Sequence, residues 1–362
     1  MIEEKGYFSN TFAGTCNNCT LYFDTTTTIT GRIFYKVSVA GGYNYIFYFS
    51  NNAFSTFDNG SSSYANLKGG EYKIHSAKAG YCACEYTEFD GSGLSELTFS
   101  GQREKVVNAG EEFWSNAIFI NAEKDGYLVF EWTVEGDKFS YTPDKIIPAQ
   151  VLKNGKFELD NAFPQPNMVA CDRSIDKKVV FLGDSITQGL GTEFNAYKFW
   201  LARIGETLVP KHGVWNIGLG FGRAQDAASD KVWLSCAKIA NFVNVCYGIN
   251  DILQGRTTDE IKNDIKTIVL KLVNSGIKVG IFTVPPFDFE DYRENMRQEI
   301  NAFIFKEIAP LVEYVFDFAK ALANPEKPNF TVHGDHPDNE GCRIAAQAFL
   351  SQFDIDKIMM KG

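Results

Sequence analysis

The sequence predicts two domains: an all-β sandwich over residues 1–170, then an α/β domain over residues 171–362 with a parallel sheet between two helical layers. Three observations carry this reading. A chain of 362 residues exceeds what one hydrophobic core usually organises. Its first part alternates aromatic and β-branched residues with period two, the mark of half-buried strands. From Lys178 onward, short apolar runs alternate with amphipathic helical stretches, as in a parallel sheet covered on both faces.

In the first part, Tyr43, Tyr45, Phe47 and Phe49 alternate with Asn44, Ile46 and Tyr48, and Leu128, Phe130, Trp132 and Val134 alternate with Val129, Glu131 and Thr133. Turn pairs such as Gly41-Gly42, Gly69-Gly70, Asp90-Gly91 and Asp125-Gly126 break the runs. Short strands at this spacing, with little helical periodicity, predict a sandwich of jelly-roll type. Its aromatic side chains are expected first as core, and second as platforms that could stack on sugar rings. Pro148, Pro164 and Pro166, with the polar stretch between them, predict the link into the second domain.

There, Val179 to Leu182 forms an apolar strand ending at Gly183, and Val214–Ile217 and Phe242–Tyr247 are similar runs that stop at glycine or asparagine. Ile261, Ile265, Ile268, Val269 and Leu272 mark one face of a helix. Val279 to Val284 predicts another strand, halted by Pro285-Pro286. The last helix is expected to begin near Asp338 and to bury Ile344, Ala348 and Phe349. In such sheets, sites form at the carboxyl ends of the strands.

Composition narrows the partners. The net charge of −10 disfavours nucleic acid and anionic membranes, since phosphate binding needs a basic surface. No apolar run reaches the length of a membrane span, and the first ten residues lack the basic and apolar regions of a secretory signal, so a cytoplasmic protein is expected. Of the eight cysteines, Cys171, Cys236, Cys246 and Cys342 stand singly, where a thiol packs as a small hydrophobe. Cys16 and Cys19 form a CxxC, and Cys82 and Cys84 a CxC. Neither pair has zinc-finger spacing, so reduced thiols are expected and no metal.

The residues with chemistry fall at strand ends. Gly183-Asp184-Ser185-Ile186-Thr187 places a serine just past a strand, where it could be an exposed nucleophile or serve with Asp184 as a helix cap. Asn216-Ile217-Gly218-Leu219-Gly220-Phe221-Gly222 gives backbone amides close access to a ligand, or simply allows tight packing. Gly248-Ile249-Asn250-Asp251 offers a side-chain amide at a third strand end, or a cap. His336-Pro337 precedes the last helix. The chain holds four histidines, and the others are less suited as a general base: His75 lies in the β-domain and His212 in what reads as a surface loop.

In this order and spacing, Gly183-Asp184-Ser185, a glycine after the next strand, Gly248-x-Asn250-Asp251 and His336-Pro337 followed by Gly341 resemble the four sequence blocks of the SGNH (GDSL-type) hydrolases, over about residues 178–355. The resemblance implies a flavodoxin-like fold with Ser185 as nucleophile and His336 as its base. It also implies an oxyanion hole made by the Ser185 amide, a loop glycine amide and the Asn250 side chain, and no cofactor. Two positions depart from the family pattern. His333 stands where an aspartate usually orients the base, leaving a backbone carbonyl, the adjacent Asp335 or a remote carboxylate for that task. Phe221 stands where the family glycine falls, which makes Gly220 the candidate donor and Gly222 the alternative.

The β-domain is similar to the jelly-roll modules that precede this fold in two-domain carbohydrate esterases. The expected function is therefore a carbohydrate O-acetyl esterase acting on a small-molecule or oligosaccharide ester. The alternatives are a general short-chain acyl or lipid esterase, an inactive glycan-binding protein on the same scaffold, or a flavodoxin-like nucleotide binder. The oligomeric state is not set by the sequence.

Overall fold

The computed structural model describes residues 3–13, 17–54, 67–229 and 232–359. The chain folds into two compact units. The first comprises Met1–Asp176, Phe194–Tyr197 and Leu208–Trp215, and the second comprises Lys177–Glu193, Lys198–Thr207 and Asn216–Gly362. Among the described residues, no helix is long and apolar enough to cross a membrane.

The first unit is built from antiparallel pairs. Two long strands, Cys19–Lys36 and Tyr127–Tyr141, run side by side from Tyr127 opposite Lys36 to Tyr141 opposite Cys19, with one irregularity between Gly136 and Lys138. They sit centrally in a seven-stranded sheet. A five-stranded sheet is formed around Gly41–Ser50, which pairs with Ile118–Ala122 and Met168–Cys171. Rings from the two sheets meet: Phe47 lies 5.1 Å from Phe130, and Phe49 stacks 4.8 Å from Trp132. The alternation expected for half-buried strands is not what the structure shows at residues 45–50, which are buried throughout. Ile46 and Tyr48, on the opposite face, are covered as well, with the Tyr48 ring 5.1 Å from that of Trp114. Tyr35, Tyr45, Tyr48 and Trp132 are fully buried, so these rings are core and have no face to offer a sugar.

The proline-rich stretch expected as a link is part of this unit. Trp132 Nε1 donates to the Pro164 carbonyl at 3.0 Å, and the Tyr35 hydroxyl to that of Pro166 at 3.3 Å. Phe163 is buried against Gly31, where any Cβ would lie 2.3 Å from its ring. His212 is likewise buried rather than on a surface loop, and its carbonyl accepts from the Arg173 guanidinium.

The second unit carries a five-stranded sheet whose strands, in chain order, are β1 (Lys178–Gly183), β2 (Gly213–Gly218), β3 (Phe242–Cys246), β4 (Lys278–Phe282) and β5 (Tyr314–Phe316). Its spatial order is β2-β1-β3-β4-β5, and the pairs β1–β3, β3–β4 and β4–β5 are parallel. The first half of β2 belongs to the first unit by its packing and the second half to the second. Val179, Val180, Phe181 and Leu182 of β1 are all buried, as a strand covered on both faces requires.

Ten α-helices are described: α1 (Ser185–Gln188), α2 (Trp200–Leu208), α3 (Ala224–Ala228), α4 (Val232–Ala237), α5 (Ile249–Leu253), α6 (Thr258–Val273), α7 (Tyr292–Phe303), α8 (Phe318–Leu322), α9 (Asn339–Gln352) and α10 (Ile355–Met359). In α6 the five predicted apolar residues are the buried ones, and a Thr257–Glu260 capping box starts the helix. In α9 the buried face holds Gly341, Cys342, Ala345, Ala346 and Phe349, whereas Ile344 and Ala348 lie only half-buried at its edge. Phe349 sets that face, because its ring fits among Phe181, Phe282 and Phe316 beneath the sheet.

Candidate active site

β1 ends where two backbones nearly touch. A Cβ on Gly183 would lie 2.1 Å from Thr187 Oγ1 and 2.7 Å from the Cys246 carbonyl oxygen, so only glycine lets the chain turn directly into α1. Asp184 caps α1, its carboxylate accepting from the Ile186 amide at 3.0 Å, and this leaves Ser185 as the first residue of the helix rather than its cap. Gly189, at φ 113°, closes the helix one turn later. Asp184 is buried, and burial together with the nearby Asp251 carboxylate pushes its carboxyl up to about 7, against the pull of the Ile186 amide.

His336 meets Ser185 from the loop before α9, with Nε2 2.9 Å from the serine Oγ. Two residues seat this loop. Gly191, at φ 102°, lets the chain pass so close that a Cβ there would lie 2.6 Å from the His336 carbonyl oxygen. Phe287 sets its ring edge-on to the imidazole at 6.0 Å. Beyond the histidine, Asp338 caps α9 through the amides of Glu340 and Gly341, and its own amide donates to the His333 carbonyl.

The position of the family's orienting acid is thus occupied by a histidine turned elsewhere: His333 Nδ1 lies 3.4 Å from Asp338 Oδ1. Asp335 folds back onto its neighbour. Its Oδ1 accepts from the His336 amide at 2.7 Å and lies 3.5 Å from His336 Nδ1, within ion-pair range but long for a hydrogen bond.

Because β1 lies between β2 and β3, the loops after those strands flank Ser185 on either side. The loop after β2 starts with the Leu219 amide donating to the Gly183 carbonyl at 2.9 Å. Gly218 passes directly over α1: a Cβ there would lie 2.1 Å from the Gln188 nitrogen. Gly220 follows, then Phe221 in the left-handed region at φ 61°, a conformation that costs a bulky residue about 1–3 kcal/mol. Asn250, on α5 after β3, donates from Nδ2 to the Gly222 carbonyl at 3.0 Å and so ties the two loops together.

Asp251 reinforces the tie. It is fully buried, accepts from the Ala224 amide at 2.8 Å and receives Arg256 Nη1 at 2.7 Å, while Arg256 Nη2 reaches Asp264. Burial pushes its carboxyl up to about 6, although the Ala224 amide and Arg256 both favour the charged form. The structure therefore joins Ser185 to His336 directly, places Asp335 at the far ring nitrogen, and joins Asn250 to the loop that contains Gly220.

Sequence reasoning passed over Gly191, Phe287 and Arg256, and read Asp251 only as part of the Gly248-Ile249-Asn250-Asp251 block. The Gly189-Leu190-Gly191 pair after the serine block was the available signal for the first, and the basic Arg256 between Asp251 and Asp264 was a local signal for the third; Phe287 reaches His336 from far along the chain. Two cysteines pack against this site: the Cys246 carbonyl oxygen faces Gly183, and Cys342 Sγ donates to the Pro337 carbonyl at 3.3 Å. Cys82 Sγ is 3.3 Å from Cys84 Sγ, Cys171, Cys236, Cys246 and Cys342 are buried, and Cys16 lies outside the described residues. Among the described residues, no group of histidine, cysteine and acidic side chains is arranged to hold a metal ion.

Residues 181–344 match the model of the GDSL-like Lipase/Acylhydrolase family. No curated protein matches the chain. Among solved structures, the chain is similar to a member of the lipolytic G-D-S-L family from Veillonella parvula, at 20% identity over 49% of this chain and 97% of that one, with a TM-score of 0.40. It is similar to a protein from Desulfitobacterium hafniense assigned to the same family, at 23% identity over 48% of this chain and 97% of that one, with a TM-score of 0.41. A third is an acetylxylan esterase from Geobacillus stearothermophilus, at 20% identity over 50% and 96%, with a TM-score of 0.38.

Proposed function

We propose that this protein, whose residues 181–344 match the model of the GDSL-like Lipase/Acylhydrolase family, is a carboxylic ester hydrolase that works through a Ser185–His336 acyl-enzyme mechanism and that its substrates are acetylated carbohydrates. The observation that carries the mechanism is the 2.9 Å contact between Ser185 Oγ and His336 Nε2 at the carboxyl end of β1. In this reading, Ser185 Oγ attacks the ester carbonyl carbon while its proton passes to His336 Nε2. The tetrahedral intermediate collapses, the bond to the alcohol oxygen breaks, and that oxygen takes the proton from Nε2. A water molecule then gives a proton to the same nitrogen as its oxygen attacks the acyl carbon; the bond to Ser185 Oγ breaks, Oγ takes the proton back from Nε2, and the acid is released.

The developing oxyanion is assigned to the amides of Ser185 and Gly220 and to Asn250. One Nδ2 hydrogen of Asn250 holds the Gly222 carbonyl, which fixes the amide plane and leaves the second hydrogen for substrate. Asp335 is assigned as the group that keeps the imidazole in the tautomer with its proton on Nδ1, at ion-pair rather than hydrogen-bond distance. The carbohydrate half of the proposal rests on architecture: we read the second unit as a flavodoxin-like three-layer α/β/α domain and the first as an accessory sandwich of jelly-roll type.

The test is hydrolysis of p-nitrophenyl acetate and of an acetylated xylo-oligosaccharide by wild type, Ser185→Ala, His336→Ala and Asp335→Asn. The first two substitutions are expected to remove activity by at least about a thousandfold, and the third to lower kcat by about tenfold or less. Full activity in Ser185→Ala sinks the mechanism. Turnover of the oligosaccharide no faster than that of p-nitrophenyl butyrate leaves a short-chain acyl esterase instead.

A further inference from the structure

Cys82 and Cys84 bring two thiols together in the first unit, at the end of the strand Tyr72–Cys82. Residues two apart in a strand point to the same face but stand about 7 Å apart along it. Here the strand stops at Cys82 and the chain bends at Cys84, which folds the second thiol back toward the first. Cys82 Sγ donates to the Cys84 carbonyl at 3.2 Å and lies 3.3 Å from Cys84 Sγ, and no disulfide joins them. The flanks of the bend are anchored. Cys82 stands opposite Tyr127 in the ladder, the Tyr86 carbonyl accepts from Gln150 Nε2 at 3.3 Å, and the Phe89 carbonyl accepts from the Arg32 guanidinium at 2.9 Å. Cys82 is buried, whereas Cys84 is exposed.

The two thiols differ in access while their sulfurs lie side by side, the arrangement of an attacking thiol and a resolving one. Burial, together with the contact to Cys84, pushes the Cys82 thiol up to about 12, so it is a poor first nucleophile. We propose that Cys82 and Cys84 are a redox site that closes reversibly to a disulfide by exchange with low-molecular-weight disulfides of the glutathione type. Cys84 Sγ, as thiolate, attacks one sulfur of the reagent; the reagent's S–S bond breaks, and a small thiolate leaves and takes up the proton that Cys84 lost. Cys82 then gives up its proton, and its sulfur attacks Cys84 Sγ. The mixed disulfide breaks, and the second small thiolate leaves and takes up that proton. The protein loses two electrons and two protons, and the reagent becomes two thiols. A disulfide at an exposed bend stays open to the reverse attack, which makes this a labile couple rather than a structural cross-link.

The test incubates the reduced full chain with glutathione disulfide at about pH 8, where thiolates become available. Remaining thiols are then alkylated and the peptides mapped by mass spectrometry, in wild type, Cys84→Ser and Cys82→Ala. Wild type should yield a segment spanning Cys82 and Cys84 that is two hydrogens lighter and carries no glutathione, and dithiothreitol should restore it. Cys82→Ala should retain glutathione on Cys84, because no second thiol resolves it. Cys84→Ser should react at Cys82 at least about tenfold more slowly than wild type reacts at the pair. Circular dichroism checks that the variants fold, and if Cys82→Ala does not, wild type and the exposed-site variant Cys84→Ser decide alone. Glutathione that stays on Cys84 in wild type overturns the proposal. So does a pair that does not react, a disulfide from Cys84 to a different cysteine, or a Cys84→Ser variant whose Cys82 reacts as fast as the wild-type pair.

Discussion

Asp184 is the residue whose ionisation should weigh most on the stability of the second unit. Its carboxyl is buried and raised from 3.8 to about 7 in the folded chain. With a folded pKa above the unfolded one, the sign is fixed. Well below the unfolded value of 3.8 both states are protonated; as pH rises the unfolded state ionises first, so stability falls until it levels above the folded pKa. From those two values, the buried carboxyl costs about 3 kcal/mol at about pH 6 and about 4 kcal/mol at about pH 8.5. Asp184→Asn keeps a good N-cap while removing the titration, at a sacrifice of about 1 kcal/mol for a weaker hydrogen bond to the Ile186 amide. The variant should therefore be more stable than wild type by about 2 kcal/mol near pH 6 and about 3 kcal/mol near pH 8.5. Urea unfolding at the two pH values, followed by tryptophan fluorescence, measures both quantities. A variant less stable than wild type at both pH values, or one with the same pH slope, refutes the reasoning. Asp251, raised to about 6, contributes a slope of the same sign, but it is present in both proteins and largely cancels in the comparison.

Gly218→Ala should destabilise by about 1–3 kcal/mol, because the new Cβ would meet the Gln188 backbone at 2.1 Å and backbone cannot rotate away. Thermal unfolding checks it, and a change under about 0.5 kcal/mol would show that β2 and α1 do not approach so closely. Arg256→Leu should cost about 3–5 kcal/mol by leaving the fully buried Asp251 without its cation. Combined with Asp251→Asn, the total should fall well short of the sum of the single changes, and additivity in that double-mutant cycle would mean the two do not act as a pair.

The strands and helices that were legible in the sequence are those whose burial is set by their own periodicity. β1 is apolar at every central position, and α6 repeats its apolar residues at helical spacing between a capping box and a glycine. β5 escaped, since three residues carry no measurable period. The face of α9 was read one step off, because Phe349 docks in a ring cluster assembled from three strands that no local window contains. His212 and the proline stretch were misread for a related reason: polar and turn-forming residues suggest surface, and here their backbone groups are satisfied by Arg173, Trp132 and Tyr35 from far along the chain. At the site, the pairing of Ser185 with His336 was implied by the resemblance of the four blocks, and the structure brings the two side chains to 2.9 Å. How Asp335 lies against the ring depends on the backbone course of a four-residue turn, and the partnership of Asp251 with Arg256 and the α3 amides depends on tertiary packing.

The division of the chain has a consequence for its birth on the ribosome. The first unit takes in Phe194–Tyr197 and Leu208–Trp215, well past the end of its main segment at Asp176. A nascent chain that has emerged as far as Asp176 therefore still lacks pieces of its own first unit. About 40 further residues, or roughly 2–8 s of synthesis, must pass before these pieces are available. By then β1, the serine turn and α2 have also been made, so the two units mature over overlapping windows rather than one after the other. A truncation at residue 176 would accordingly yield not an independent accessory module but one with part of its packing missing.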